Sequence, residues 1–179
     1  MGILNGTSCY LVGPIEYAMD DTWRFRTQKF LNSLGIKVYN PLQKPFLKDH
    51  NDEGKPEVVA LMKERENGNF DLVTEKMKEV RNYDLNLVDR CDFIIANIIP
   101  GVASWGSAEE LVLASKIKRP IFLSSEGGIK KLPFWLFAVI PHKYVYSSVD
   151  DIMDTLGKID RGEKELDNER WRLLKPEYR

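Results

Sequence analysis

Two cysteines, two histidines and a net charge of −1 leave several functional classes with little to stand on in this 179-residue chain. Cys9 and Cys91 lie far apart, show no metal-ligand spacing, and each adjoins an apolar segment, so they are expected to be reduced core thiols of a cytosolic protein. Charged residues make up 30% of the chain but nearly cancel, so no field draws nucleic acid or an anionic membrane. No apolar run approaches the ~18 residues of a membrane span, and no charged, apolar and cleavage-site pattern opens the chain. A cytoplasmic protein with a small-molecule partner is the expectation. No Walker sequence, no Gly-x-Gly-x-x-Gly after the first strand and no Gly-x-Ser-x-Gly elbow occur, and no internal repeat or low-complexity segment is present. The common nucleotide-cofactor and hydrolase classes are therefore weakly supported, and no cofactor or metal is expected.

What the chain does contain is a run from Cys91 to Leu123 that reads as strand, small-residue loop, helix, strand. The strand Phe93 to Ile99 is apolar on both faces apart from Asn97, as a parallel strand covered on both sides should be. In such sheets ligands sit beyond the carboxyl ends of the strands, which places the stretch Gly101 to Glu110 at a site. The helix is expected over Ser107 to Lys118, opened by Glu109 and Glu110. Ser107 and Glu110 have the spacing of a capping box, so Glu110 has an ordinary structural explanation. It also precedes Leu113, Ala114 and Ile117 by three, four and seven residues, which turns it toward the apolar side, over the strand ends.

Other elements follow from local signals. Cys9 to Val12 is a strand ending in Gly13-Pro14, with Tyr10 either a core aromatic or a ring facing a ligand. Asp20 or Asp21 can cap a helix from Thr22 to Leu34 that buries Trp23 and stops at Gly35. Ile36 to Tyr39 is the second strand, and the loop after it carries the polar residues Asn40 and Gln43. Residues 44–69 form a charged segment expected to be a solvated insertion with a short helix near Glu57 to Glu66 and a solvated His50. A long helix from Phe70 to Arg90 should bury Leu72, Val73, Met77, Val80, Leu87 and Val88. Asp84 shares that side, and an isolated buried carboxylate is costly enough to imply a purpose. Asp92 precedes its strand, at the end away from the site, and reads as structural. Ser124 to Gly128 reads as a flexible loop, Lys143 to Tyr146 as a last strand and Val149 to Ile159 as a helix.

The order of elements predicts one α/β domain over residues 1–159, with a flavodoxin-like or Rossmann-like parallel sheet of about five strands and helices on both faces. Residues 160–179 form a charged tail with Trp171, Leu173 and Leu174 as anchors. Two carboxylates, Asp84 and Glu110, converge from different helices on one end of the sheet. Such a pair suits chemistry at an anomeric carbon, where one carboxylate meets an oxocarbenium-like centre and the other group handles the leaving group.

At this point the chain resembles the nucleoside 2-deoxyribosyltransferase family, over residues 8 to 123 and more weakly to Tyr146. Four pieces carry the resemblance: Tyr10 to Pro14; Trp23-Arg24 with Val38 to Pro41; Asp84 to Asp92; and Gly106 to Glu110 followed by Ala114 and Pro120. The resemblance implies that Glu110 is the nucleophile on C1′ of a deoxyribosyl group, that Asp84 contacts the base and moves its proton, and that Tyr10 stands near the nucleophile. Gln43 corresponds to a base-contacting glutamine. Family transferases carry an aspartate five or six residues before the nucleophile, where this chain has Trp105 and Ser104. Related deoxynucleoside 5′-monophosphate N-glycosidases have a serine six residues before theirs, so Ser104, Gly106 and Ser107 become candidate phosphate ligands at a helix start. Glu16 would repel that phosphate unless Arg24 or Arg26 compensates. A nucleoside or nucleotide partner and a homo-oligomer are implied, with the aromatic patch of Phe134, Trp135 and Phe137 as the interface. The alternatives are an enzyme that only hydrolyses deoxynucleoside 5′-monophosphates, a non-catalytic nucleotide-binding module on the same scaffold, and an interaction protein built on the charged insertion and tail.

Overall fold

Strand β3 (Phe93–Ile98) is the centre of the molecule, and Phe93 to Ala96 are wholly buried because both of its faces are covered. In the computed structural model, which describes residues 2–15, 22–44, 56–102 and 104–165, with side chains from 59 onward in the third span, β3 pairs with β1 (Ser8–Val12) on one side and β4 (Ile121–Ser125) on the other. β2 (Lys37–Tyr39) and β5 (Val145–Tyr146) complete a five-stranded, all-parallel sheet of order β2-β1-β3-β4-β5. This is the expected doubly wound arrangement.

Parallel neighbours require crossovers, and the right-handed rule decides which face each helix takes. The chain leaves β1 through α1 (Thr22–Ser33) toward β2, then returns past β1 through α3 (Phe70–Arg90) to β3 and onward through α4 (Trp105–Lys116) to β4. The reversal puts α1 on one face with α5 (Val149–Asp160), and α3 with α4 on the other. Between the carboxyl ends of β1 and β3 the connections run in opposite directions, which opens a cleft there.

Edge-to-face rings at the sheet's centre, Phe93 on Phe122 at 6.2 Å and Phe122 on Tyr144 at 5.8 Å, fill the core in the favoured aromatic geometry. Trp23 is buried, and Cys9 and Cys91 are buried free thiols. Gly35 ends α1 at φ +76°, a conformation a side chain disfavours. Asp92 is structural in the expected way: its Oδ2 accepts from the backbone N–H of Ser8 at 2.7 Å and from the Ser8 hydroxyl at 2.9 Å, tying β3 to β1 at the end away from the cleft.

Several expectations change. Helix α4 begins at Trp105 rather than Ser107, so Ser107 lies inside the first turn, the cap position falls to Ser104, and the Ser107–Glu110 capping box does not form. On α3 only Leu87 and Val88 are buried, while Leu72 and Met77 are exposed and Val73 and Val80 half-buried. The cause is length: 21 residues span roughly 31 Å, longer than the five- or six-residue strands beneath, so the first half of α3 overhangs the sheet. Helix α2 (Pro56–Glu66), the short helix expected inside the charged segment, packs against α3 with no buried side chain among those described from 59 to 69, whereas Lys44 at the segment's edge is buried. Ser124 and Ser125 belong to buried β4 and not to a flexible loop; the chain turns after them at the left-handed Gly127 and Gly128 and enters a short 3-10 helix, Gly128–Lys131. Glu16, Asp20, Asp21, His50, Trp171, Leu173 and Leu174 lie outside the described residues. Asp160, placed with the charged tail, is the last residue of α5 and holds the chain's start, with its Oδ1 accepting from Leu4 N–H at 2.8 Å.

Candidate active site

The cleft at the β1–β3 reversal is a cavity of about 380 Å³. Its floor comes from the end of β1 and from α4, with Gly13, Ser104, Gly106, Ser107 and Glu110; its far wall comes from α2 and the overhang of α3, with Leu61, Met62, Val73, Met77, Val80 and Asp84. One side is therefore polar and the other apolar apart from Asp84 and Arg65, the combination expected of a pocket that takes a flat ring beside a reacting polar group.

Glu110 and Asp84 both line it, brought together from α4 and α3 because these helices pack on the same face. Tyr10 is fully buried in the middle of β1, and its hydroxyl donates to Glu110 Oε1 at 2.8 Å, so the ring is at once core and site. The neighbouring Glu109 turns the other way and pairs on the surface with Arg81, whose Nε lies 2.9 Å from its Oε2. Adjacent carboxylates thus have opposite fates, decided by the helix's 100° step.

Burial pushes the Glu110 carboxyl up to about 8, the negative charge of Asp84 adds to that rise, and the Tyr10 hydrogen bond and the charges of Lys44 and Arg24 oppose it. Burial also raises Asp84, against the pull of Lys44 and of Tyr10. Tyr10 is pushed well above its ordinary value by burial and by the two carboxylates, so it stays a neutral donor. A site holding two carboxylates that compete for a proton is a common arrangement for acid–base work.

The loop after β1 is held from behind. Arg24, fully buried on α1, donates through Nη2 to the carbonyls of Gly13 at 2.8 Å and Pro14 at 3.3 Å, while its guanidinium stacks over Trp23 at 4.7 Å. A side chain at position 13 would come within 2.9 Å of the Asn97 carbonyl oxygen, so only glycine lets this loop lie against β3. Asn97 itself is satisfied, its Oδ1 accepting from the Ser124 hydroxyl at 2.8 Å. Arg24 is therefore engaged with the loop, and Arg26 pairs with Asp150 at 3.2 Å on the surface.

Ser104 and Ser107 are brought to the cavity, their hydroxyls 2.7 Å apart at the start of α4, with Gly106 between them in sequence. Asn40 and Gln43 are not. Asn40 is buried in a turn, its Oδ1 accepting from Leu42 N–H at 3.0 Å, and Gln43 is exposed with its side chain bonded to Gln28 at 2.9 Å. The residue this loop does deliver is Lys44, whose Nζ stands 3.0 Å from Asp84 Oδ1 and donates to the Pro41 carbonyl at 2.8 Å. Sequence reading passed over it because it opens a charged run; its one signal was its place just past the carboxyl end of a strand. Arg65 of α2 also lines the cavity. Among the described residues no three His, Cys, Asp or Glu side chains cluster as a metal site, and no helix is long and apolar enough to cross a membrane.

No protein-family model matches the chain, and no curated protein matches its sequence. Among solved structures, the chain is similar to a 2-deoxyribosyltransferase from the psychrotolerant bacterium Bacillus psychrosaccharolyticus, with a TM-score of 0.46 and 18% identity over 74% of this chain and 82% of that one. It is also similar to a Clostridium botulinum CMP N-glycosidase, with a TM-score of 0.47 and 16% identity over 84% of this chain and 98% of that one.

Proposed function

We propose that this protein cleaves the N-glycosidic bond of a 2′-deoxynucleoside or its 5′-monophosphate, with Glu110 as nucleophile, and passes the deoxyribosyl group to a second base or to water. The observation that carries the reading is the meeting of Glu110 and Asp84 in one half-apolar cavity at the sheet's reversal point, with the Tyr10 hydroxyl bonded to Glu110 from the core. The sequence resemblance assigns these same three residues to the reaction.

In the proposed reaction the base stacks against the apolar wall of α2 and α3 and the sugar faces α4. The Glu110 carboxylate forms a bond to C1′ as the C1′–N bond breaks and its electron pair leaves with the base. Asp84 handles the proton of the departing base, and Tyr10 orients Glu110 while stabilising its charge. Water or a second base then attacks C1′ and releases Glu110. A deoxyribosyl centre suits this route because the absent 2′-hydroxyl destabilises the oxocarbenium-like transition state less.

The Ser104–Ser107 hydroxyl pair, exposed to the same cavity at a helix start, favours a 5′-monophosphate as the form bound. The exposed patch of Phe134, Trp135 and Phe137 is the proposed contact of a homo-oligomer. A clean monomer by light scattering would remove that part.

The experiment is to incubate the protein with each deoxynucleoside and each deoxynucleoside 5′-monophosphate, with and without a second free base, and to follow the products by chromatography. A new nucleoside makes it a transferase, and free base from monophosphates alone makes it an N-hydrolase. Tight binding without any released base makes it a nucleotide-binding module.

A further inference from the structure

Lys44 has no role in the reaction as outlined, yet it is an ammonium group buried at the wall of the cleft. Its side chain is 4% exposed and that of Asp84 14%, so the pair between them is desolvated. Burying a lysine is expensive, and a long, flexible side chain gains nothing from being held there unless its charge is used. The hold is double: Nζ donates to the Pro41 carbonyl at 2.8 Å and faces Asp84 Oδ1 at 3.0 Å. Oδ1 is sealed from solvent, so the accessibility that the Asp84 side chain retains lies on its other atoms, and the residue lines the cavity.

We propose that Lys44 is a positioning residue of the cleft that works through Asp84, fixing that carboxylate by one oxygen so that the other faces the N–H edge and the proton of the bound base. This rests on the glycosidic reading and deepens it. The charged and titratable groups around the pair come from every neighbouring element: Tyr10 from β1, Arg24 from α1, Arg65 from α2 and Glu110 from α4. Arg24 is engaged with the Gly13 and Pro14 carbonyls, and Lys44 stands in ion-pair contact with Asp84. The same ammonium opposes the proton affinity of Glu110, so it helps that carboxylate to be charged when substrate arrives.

The test uses Lys44→Met, Lys44→Gln and Lys44→Arg, the glutamine keeping a donor for the Pro41 carbonyl should the methionine variant fail to fold. Asp84 is titrated by carboxyl carbon NMR in each, and base release is followed against pH on whichever deoxynucleoside or 5′-monophosphate the wild type cleaves. Loss of the charge should raise the Asp84 titration by about one pH unit and move the rising limb of kcat/KM alkaline, with roughly a tenfold loss at neutral pH. Lys44→Arg, which keeps the charge, should restore both. A merely structural lysine would lower the melting temperature of Lys44→Gln and leave both midpoints in place, which would overturn the proposal. If the titration moves but the wild type releases no base from any substrate, the glycosidic reading falls and takes Lys44's part in a reaction with it, while Lys44's hold on Asp84 stands.

Discussion

The hydroxyl of Tyr10, on β1, donates to Oε1 of Glu110, on α4, at 2.8 Å across one hundred residues of chain. That contact joins the core to the carboxylate proposed to react, because the same ring is fully buried among the strands. Tyr10→Phe removes the hydrogen bond and keeps the ring. Since the bond lowers the proton affinity of Glu110, its loss should shift the rising limb of kcat/KM to higher pH. Activity should fall by about tenfold at neutral pH and recover in alkaline buffer. A uniform loss at all pH values would mean that the hydroxyl acts elsewhere.

In the wild type, base release should rise with pH through about 8, because Glu110 attacks only when ionised and burial holds its proton until then. The profile of kcat/KM on the free enzyme reads this directly. A limb at the ordinary carboxylate range would contradict the environment assigned to Glu110.

The same shift has a consequence for stability. Folding raises the Glu110 carboxyl from 4.5 to about 8, so between those values the folded chain binds more protons than the unfolded one. Its contribution is therefore present in acid and is lost as pH rises through about 8, by up to about 5 kcal/mol if the whole shift is felt. Glu110→Gln removes this buried charge. It should melt near the wild type at pH 5 and several degrees above it at pH 9, measured by thermal unfolding.

Gly13→Ala puts a methyl group 2.9 Å from the Asn97 carbonyl oxygen and 3.1 Å from Arg24 Nη2, neither of which can yield freely. A cost of about 1–3 kcal/mol in stability is expected, with a loss of activity because the displaced loop forms the cleft floor. As a contrast, Asp92→Ala breaks two hydrogen bonds at the far end of the sheet. It should cost a similar stability in denaturant titration while leaving kcat/KM unchanged.

The β3–α4–β4 unit was legible in the sequence because continuous apolar runs and a small-residue loop leave few alternatives to a parallel crossover. Asp84 and Glu110 were legible for a related reason: each occupies an apolar face where a charge needs an explanation. The start of α4 misled because Ser107 imitates a cap, whereas Trp105 and Gly106 carry no helix signal; the turn is set by the cleft and not by local propensity. Periodicity told which face of α3 is apolar but not that its first half has no strand beneath it. Lys44 and Gln43 are adjacent, and nothing local says that the lysine turns inward and the glutamine outward. That choice is made by Asp84, forty residues away.

The most direct test of the central claim is turnover by Glu110→Gln, measured as base released from whichever deoxynucleoside or 5′-monophosphate the wild type cleaves. The glutamine fits the same space and can still accept from Tyr10, but it cannot form the bond to C1′. The account predicts a folded protein that has lost at least about a thousandfold in kcat. Turnover near that of the wild type would contradict it.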